Sequence, residues 1–314
     1  MTANLQNPIF TNENKAREWL EARVWRTGPV CPHCGSTGDD VTKLEGKAHR
    51  AGVYQCNGCR EQFTVTVKSV FERSKIPLTK WLAALFLLTA SKKGISAHQV
   101  HRSLGISYKS AWFMMHRLRE AMRTGGLLPP MGAAGDPVEA DETYFGNVKG
   151  SRRSRFSVRR KHAVLTLVDR RTGEARSFHV AAAASEEIAP IVRANISKEA
   201  RLMTDQGTWY KKLGAEFASP ETVDHSKDEY VRGDVTTNTV ENYFSVFKRG
   251  MRGTYQHCAE KHLHRYLAEF DFRYNNRSAL GVNEFIRAEI LAKGIAGKRL
   301  TYRRPHGKGA LAAN

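Results

Sequence analysis

The sequence of 314 residues has no run of about 20 apolar residues, the length that a helix needs to span a bilayer. Its longest apolar stretch, residues 81–90, is flanked by lysines, and we predict a buried helix there. The first residues lack the positively charged and then apolar pattern of a secretory signal. We therefore expect a cytoplasmic protein without a membrane partner.

Acidic residues are scarce relative to basic ones. The chain has 31 Asp and Glu against 50 Lys and Arg, which gives a formal net charge of +19. A charge of this size favours a polyanionic partner, nucleic acid before an anionic membrane surface. Hydrophobic residues make up 41% of the chain, enough for a sizeable core in one large or two to three small domains.

Cysteine is rare as well, and its distribution favours a metal site over disulfides. Four of the five cysteines form two C-x-x-C pairs, Cys31 with Cys34 and Cys56 with Cys59. Four thiolates from two tight turns complete a tetrahedral Zn²⁺ shell, so we predict a structural zinc ribbon. A redox-active pair is the alternative, but the surrounding sequence has no thioredoxin-like βαβ pattern. His33 is interpreted as a bystander, because the cysteines fill the shell.

Helical patterns follow the ribbon in residues 77–122. The helix at 97–104 stops at Gly105, and the next helix begins at once. Helix, short turn and helix is the helix-turn-helix pattern, whose second helix enters the major groove of DNA. Tyr108 and Lys109 would then contact DNA. An ordinary helical hairpin is the alternative.

A Gly/Pro/Ala-rich stretch without periodicity indicates a domain boundary. Three strand patterns, a helix, a fourth strand and further helices come after it. This order predicts a mixed sheet covered by helices, an α/β arrangement. The predicted domains are an N-terminal helical segment (1–26), the zinc ribbon (27–72), the helix-turn-helix region (73–124), a linker (125–136), the α/β domain (137–290) and a basic flexible tail (291–314).

The segment between the first two predicted strands is strongly basic. Residues 149–161 carry seven positive charges, among them Arg152, Arg153 and Arg155. A solvated loop is the ordinary interpretation of such a run. Contact with phosphate is the alternative, because the loop lies close in sequence to Asp141.

Three carboxylates stand where the predicted sheet would bring them together. Asp141 lies in the first strand, Asp205 ends the fourth, and Glu241 is on a following amphipathic helix. Carboxylates that converge in this way hold the divalent ions that catalyse phosphodiester cleavage or transfer. Their oxygens suit Mg²⁺.

Each carboxylate also has a simpler interpretation. Glu241 fits a capping box with Asn238, in which the acidic side chain bonds back to the helix start. Asp205 fits a helix cap or a turn equally well. The strand aspartate is flanked by Glu139 and Glu142, and alternation along a strand puts Glu139 on its face and Glu142 on the other.

Several motifs together are familiar. They are CPHCG, CNGC, VEADETYFGN, LMTDQGTWY, TTNTVENYFSVFKRGMRGTY and HLHRYLAEFDFRYNNR, spread over residues 11–277. With them the chain resembles bacterial insertion-sequence transposases that join an N-terminal zinc ribbon to a ribonuclease-H-like DDE domain. The resemblance implies that Asp141, Asp205 and Glu241 form a metal-binding catalytic triad for Mg²⁺ or Mn²⁺. The 35 residues between Asp205 and Glu241 match a spacing familiar from DDE recombinases.

The resemblance also implies further roles. Lys248 matches the basic residue that contacts DNA after the third carboxylate, and we expect the same of Arg249. Asn238 and His225 are candidate accessory residues. The implied function is transposition, in which a dimer or larger assembly cleaves DNA at transposon ends and joins them to target DNA. The alternatives are a non-catalytic DNA-binding regulator, a domesticated transposase, and a nuclease of the same fold that does not join strands.

Overall fold

The chain divides into two compact units. A computed structural model describes residues 6–126, 128–147, 161–205, 213–223 and 233–301. Unit 1 comprises the residues up to Ala90, Ala97–Met122 and the residues from Glu284 onward, and unit 2 comprises Ser91–Ser96 and Arg123–Asn283. Within the described ranges, no helix combines the length and the apolar character needed to cross a membrane.

Unit 1 is mainly helical and includes a small antiparallel sheet. Its helices are α1 (Glu13–Val24), α2 (Leu78–Ala90), α3 (Ala97–Leu104), α4 (Tyr108–Met122) and α8 (Glu284–Lys293), and its strands are β1 (Val41–Lys43), β2 (Tyr54–Cys56) and β3 (Gln62–Phe63).

Helix α2 is the centre of unit 1, since most of its side chains are buried and it packs against α1, α3, α4 and α8. Its first amides have no partner inside the helix. The carboxylate of Glu13 fills this role, accepting hydrogen bonds from the amides of Leu78 (3.1 Å) and Thr79 (3.2 Å). The start of α1 is thereby fixed to the start of α2.

Unit 2 is an α/β structure. Its strands are β4 (Pro137–Phe145), β5 (His162–Asp169), β6 (Ala175–Val180), β7 (Arg201–Asp205) and β8 (Ser219–Val223), and its helices are α5 (Ser185–Asn195), α6 (Asn238–Gly250) and α7 (Glu260–Asn275). The strand order is β6-β5-β4-β7-β8, in which β5 runs antiparallel to both neighbours while β7 runs parallel to β4 and β8.

Helices cover both faces of this sheet. On one face α5 contributes Ile188 and Val192 to a core with Leu165 of β5. On the other face α6 and α7 contribute Phe247 and Phe270 to a second core. Because both faces are covered, every residue of β5 is buried. The predicted mixed sheet flanked by helices is confirmed.

Strand β8 lies at one edge of the sheet, beside β7. A π-helical turn, Met251–Tyr255, precedes α7, and α8 follows α7 along the chain. Helix α8 has a weak apolar pattern and is held by burial of Ala288, Leu291 and Ala292 in unit 1.

Candidate active site and zinc ribbon

Asp141 and Asp205 lie beside each other on neighbouring strands. Strands β4 and β7 run parallel with Ala140 opposite Thr204, so the next residue on each strand is an aspartate. Asp205 is the last residue of β7. In open α/β sheets, ligands bind at this carboxyl end of the parallel strands. Asp141 and Asp205 are 64 positions apart in the sequence, and the pairing register of β4 with β7 brings them together.

Asp141 sits in a strongly negative environment. Oxygens of Asp141, Glu142 and Asp205 lie within 4.8 Å of one another. Burial raises the pKa of Asp141 to about 7, and the negative charges of Asp205, Glu142 and Glu241 add to the rise. Carboxylates this close repel one another when ionised, and a bound cation compensates that repulsion.

Glu142 belongs to this cluster, although strand alternation predicted it on the opposite face. The Asp141 carboxylate lies against the backbone of its neighbour, since its Oδ1 accepts a hydrogen bond from the amide of Glu142 at 2.7 Å. The side-chain oxygens of Glu142 lie within reach of those of Asp141 and Asp205. Alternation along a single strand does not describe such an approach between side chains of two strands.

Glu139 attaches the start of α6 to β4. Its side chain is fully buried, and it accepts hydrogen bonds from Nε of Arg170 (2.5 Å) and from the amide of Val240 (2.9 Å). Arg170 also donates to the carbonyls of Asp234 (2.5 Å) and Thr236 (3.0 Å), which precede α6. These bonds hold the first turn of α6 over the strand that carries the first aspartate.

Glu241 lies in that first turn and is exposed. It is not part of the 4.8 Å cluster, but its charge acts on Asp141. The capping-box interpretation was wrong in register: the N-cap is Thr237, its side chain bonds no helix amide, and Asn238 is already helical and exposed. Instead, the Thr237 hydroxyl donates to Oε1 of Glu241 at 2.9 Å. The carboxylate is thus oriented by the residue before the helix.

Lys248 shares the electrostatic environment of the carboxylates. Burial lowers its pKa and the positive charge of Arg252 adds to the fall, while Asp141 and Glu241 oppose it. Its ammonium lies over the ring of Phe244, 5.9 Å from the ring centre. Arg249 is exposed on the next position of the helix. A partly buried cation therefore stands near the predicted triad.

The oxygen atoms at this site fit a hard divalent cation. The cluster of Asp141, Glu142 and Asp205 offers carboxylate oxygens only, which suit Mg²⁺ or Mn²⁺ rather than a softer ion. Burial and the neighbouring acids raise the pKa of Asp141, and a cation bound there would favour its ionised form. Mg²⁺ takes few protein ligands and keeps several waters, so it does not require every acid nearby.

The four predicted thiols of unit 1 form one cluster. The Sγ atoms of Cys31 and Cys59 are 3.6 Å apart, and those of Cys34 and Cys56 are 3.5 Å apart. Four sulfurs at the Zn–S distance of a tetrahedral site lie about 3.8 Å from one another. The cluster therefore has the ligand set and spacing of a structural zinc site. His33 is exposed and outside it.

The ribbon has a small aromatic core beside the thiols. Strand β2 pairs with β1 and β3, which sets Tyr54 opposite Phe63. The rings of Tyr54 and Phe63 stack at 5.8 Å, and Trp25 packs edge-on against both. So few buried side chains leave the metal as the main source of stability.

Helix α4 has a buried face and an exposed face. Ala111, Met114, Met115 and Leu118 of α4 are buried. Tyr108 is 43% exposed, and Lys109 beside it is exposed. Both therefore lie on the surface of unit 1, and their contact with DNA stays a prediction. Arg152, Arg153, Arg155 and His225 lie outside the described residues.

These features define a zinc-ribbon protein with an α/β domain that gathers carboxylates at the ends of parallel strands. Residues 11–62 match the model of the transposase zinc-ribbon domain, and residues 133–275 match the model of the ISXO2-like transposase domain. The chain carries, in this order, the zinc-ribbon and DDE domains of an insertion-sequence transposase.

A curated relative agrees with the domain matches. The chain is 28% identical over 279 residues to an uncharacterized protein in transposable element ISH50 of Halobacterium salinarum, covering 84% of this chain and 91% of that protein. A solved structure, a simian T-cell lymphotropic virus intasome in complex with PP2A regulatory subunit B56 gamma, aligns at 13% identity and a TM-score of 0.28. That alignment spans 55% of this chain and 63% of the other, less than two thirds of its length.

Proposed function

We propose that the chain is a DNA transposase that cleaves strands at transposon ends and transfers them to target DNA with divalent metal ions. One observation carries the proposal. Parallel pairing puts Asp141 beside Asp205, and Glu241 of α6 lies close enough for its charge to act on Asp141. This arrangement of acids from distant sequence positions supports the interpretation of Asp141, Asp205 and Glu241 as a triad.

The architecture of unit 2 supports a ribonuclease-H-like domain. A mixed five-stranded sheet has α5 on one face and α6 with α7 on the other. The first two acids stand on neighbouring strands in the middle of the sheet, and the third stands on a helix bonded to the same strand through Glu139. We propose the same fold for the domain on this basis.

The proposed cofactor is Mg²⁺, with Mn²⁺ as a substitute, held by Asp141, Asp205 and Glu241. When bound, such ions stabilise the attacking and leaving oxygens of an in-line displacement at phosphorus. Glu142 adds a fourth carboxylate within reach. Hydrolysis of one strand and attack by the released 3′ hydroxyl are both displacements of this kind, so a single site serves both steps.

Positive side chains supply the DNA contacts in this proposal. Lys248 stands beside the acids and Arg249 is exposed next to it, where both meet a phosphodiester backbone. Tyr108 and Lys109 on α4 are proposed to contact the transposon end, through a helix-turn-helix formed by α3 and α4. Asn238, exposed in the first turn of α6, is a proposed accessory residue. Two ends must be joined, so we propose a dimer or larger assembly on DNA.

The test is a strand-transfer assay with purified full-length protein, Mg²⁺, labelled transposon-end DNA and a target plasmid. We expect Asp141→Asn, Asp205→Asn and Glu241→Gln each to lower joined product by more than about 100-fold, the upper range for loss of supporting metal contacts. Binding of end DNA in gel shifts should be retained. The matched control is Glu199→Gln on the exposed surface of unit 2, with unchanged product.

Other outcomes distinguish the competing functions. Cleaved ends without joined product would indicate a nuclease. End binding without any Mg²⁺-dependent product would indicate a regulator and overturn the proposal. Lys248→Gln separates DNA contact from metal binding, because losing one phosphate contact should lower the salt dependence of affinity by about one counterion.

A further inference from the structure

Two histidines and a glutamate meet outside the carboxylate site. His162 is the first residue of β5, His179 lies in β6, and Glu260 is the first residue of α7. Val164 of β5 is opposite His179, and residues two apart on a strand point to the same face. Both imidazoles therefore face the side of the sheet that α7 covers.

The ligating atoms of the three side chains lie within 4.8 Å of one another. Nε2 of His179 and Oε1 of Glu260 are 4.0 Å apart, and the two imidazole centres are 5.5 Å apart at 71°. His162 is 6% exposed, and the side chain of Glu260 is 58% exposed. The sheet thus fixes the two nitrogen donors, while the carboxylate is free to close on an ion.

We propose that His162, His179 and Glu260 form a second zinc site. Two imidazoles and one carboxylate are a ligand set that zinc uses in proteins, with water at the open position. Donors around a tetrahedral zinc lie about 3.4 Å apart, so closure requires a shift of little more than 1 Å, roughly what a rotamer change of the exposed glutamate provides. Imidazole is a poor ligand for Mg²⁺, which separates this site from the all-oxygen cluster.

The second site is also separate in position. His162 pairs with Phe145, which is four residues beyond Asp141 on β4. That corresponds to about 13 Å along the strand. An ion there would link β5 and β6 to the start of α7, and it would be too far away to share ligands with the acids. The inference is therefore independent of the proposed function.

Zinc content of the full-length protein tests the site. Protein dialysed against buffered free Zn²⁺ should retain about two ions per chain, one in the ribbon and one at the histidines. His162→Asn and His179→Gln should each retain about one. Elemental analysis gives the count, and it is repeated with Asp141→Asn to exclude zinc held by the acids.

The matched control is His264→Gln, an exposed histidine on α7 that should leave the count at two. Glu260→Gln alters only an exposed position, so it keeps the test valid if the strand variants misfold. It should weaken the second zinc by at least about 10-fold in a competition titration. Retention of one ion by the wild type, retention of two ions by the histidine variants, or an unchanged zinc affinity of Glu260→Gln would overturn the site.

Discussion

The carboxylate of Glu139 accepts a hydrogen bond from the backbone amide of Val240, a residue 101 positions later, at 2.9 Å. This bond joins strand β4 to helix α6. Asp141 of the proposed triad is two residues after Glu139 on the strand, and Glu241 is one residue after Val240 on the helix. The bond is buried, and the same carboxylate pairs with Arg170. The positions of Asp141 and Glu241 relative to each other therefore depend on a residue that is not itself in the triad.

Glu139→Ala should destabilise unit 2. The change leaves the guanidinium of Arg170 without its carboxylate and the amide of Val240 without an acceptor. Breaking a buried ion pair costs about 3–5 kcal/mol. Because Arg170 is 20% exposed, we expect about 2–3 kcal/mol in the free energy of unfolding, measured by urea titration. Glu186→Ala, at an exposed position of α5, should change it by less than about 0.5 kcal/mol.

Asp271 should make the stability of unit 2 depend on pH. Its carboxylate accepts hydrogen bonds from the Tyr243 hydroxyl (2.6 Å) and from the hydroxyl (2.7 Å) and amide (2.9 Å) of Ser177. Burial nevertheless raises its pKa to about 6. The folded state then keeps a proton that the unfolded chain releases near pH 4.

The free energy of unfolding should therefore fall as pH rises from about 4 to about 6, by at most about 2–3 kcal/mol through this group. Above pH 6 both states are ionised and this contribution stays constant. Urea titrations across the window test the effect, and Asp271→Asn should remove the step. An equal slope in the wild type and the variant would show that other groups cause it.

Removal of zinc should unfold the ribbon and expose Trp25. The indole packs against Tyr54 at 5.1 Å and Phe63 at 5.9 Å, beside the thiol cluster. Zinc supplies on the order of 10 kcal/mol to folding in modules of this kind. A strong chelator should shift tryptophan emission to longer wavelength, and Trp25→Phe should lose most of that shift. His33→Ala should bind zinc like the wild type.

Gly250→Ala should destabilise α6, although alanine is favoured over glycine in helices by about 1 kcal/mol. A Cβ at this position would lie 2.5 Å from Cζ of Phe270 and 3.1 Å from the carbonyl oxygen of Lys93. Overpacking of this kind costs about 1–3 kcal/mol. Thermal unfolding measures the loss. At Gly253 an added Cβ meets nothing within 4 Å, so Gly253→Ala is the matched control and should show none of this loss.

Local patterns in the sequence were enough to predict several elements. The spacing of Cys31, Cys34, Cys56 and Cys59 identified the thiol cluster, because the ligands of a ribbon come from two short turns. The order of three strands, a helix and a fourth strand was also predicted, and β4, β5, β6, α5 and β7 follow it. Each of these features depends on residues close in sequence.

Features that depend on distant pairing could not be predicted in the same way. The approach of Glu142 to the aspartates depends on side-chain positions where β4 and β7 lie side by side, which alternation along one strand does not describe. Alternation along the strand predicted that Glu139 and Asp141 share a face, but it did not distinguish their roles. The role of Glu139 depends on its hydrogen bond to α6, which is distant in sequence. The cluster of His162, His179 and Glu260 could not be predicted from a motif, because its residues come from two strands and a helix that are separated in sequence.

Helix α8 has a consequence for the order in which the chain becomes foldable during synthesis. Domains usually fold as they emerge, the N-terminal one first. Here the amide of Val70 donates to the carbonyl of Ile295 at 3.1 Å, and Leu291 is fully buried in unit 1. Unit 1 therefore cannot be completed until residues beyond Asn283 have been synthesised, whereas every residue of unit 2 precedes Glu284. In a nascent chain, the DDE domain has all of its residues before the unit that holds the zinc ribbon does.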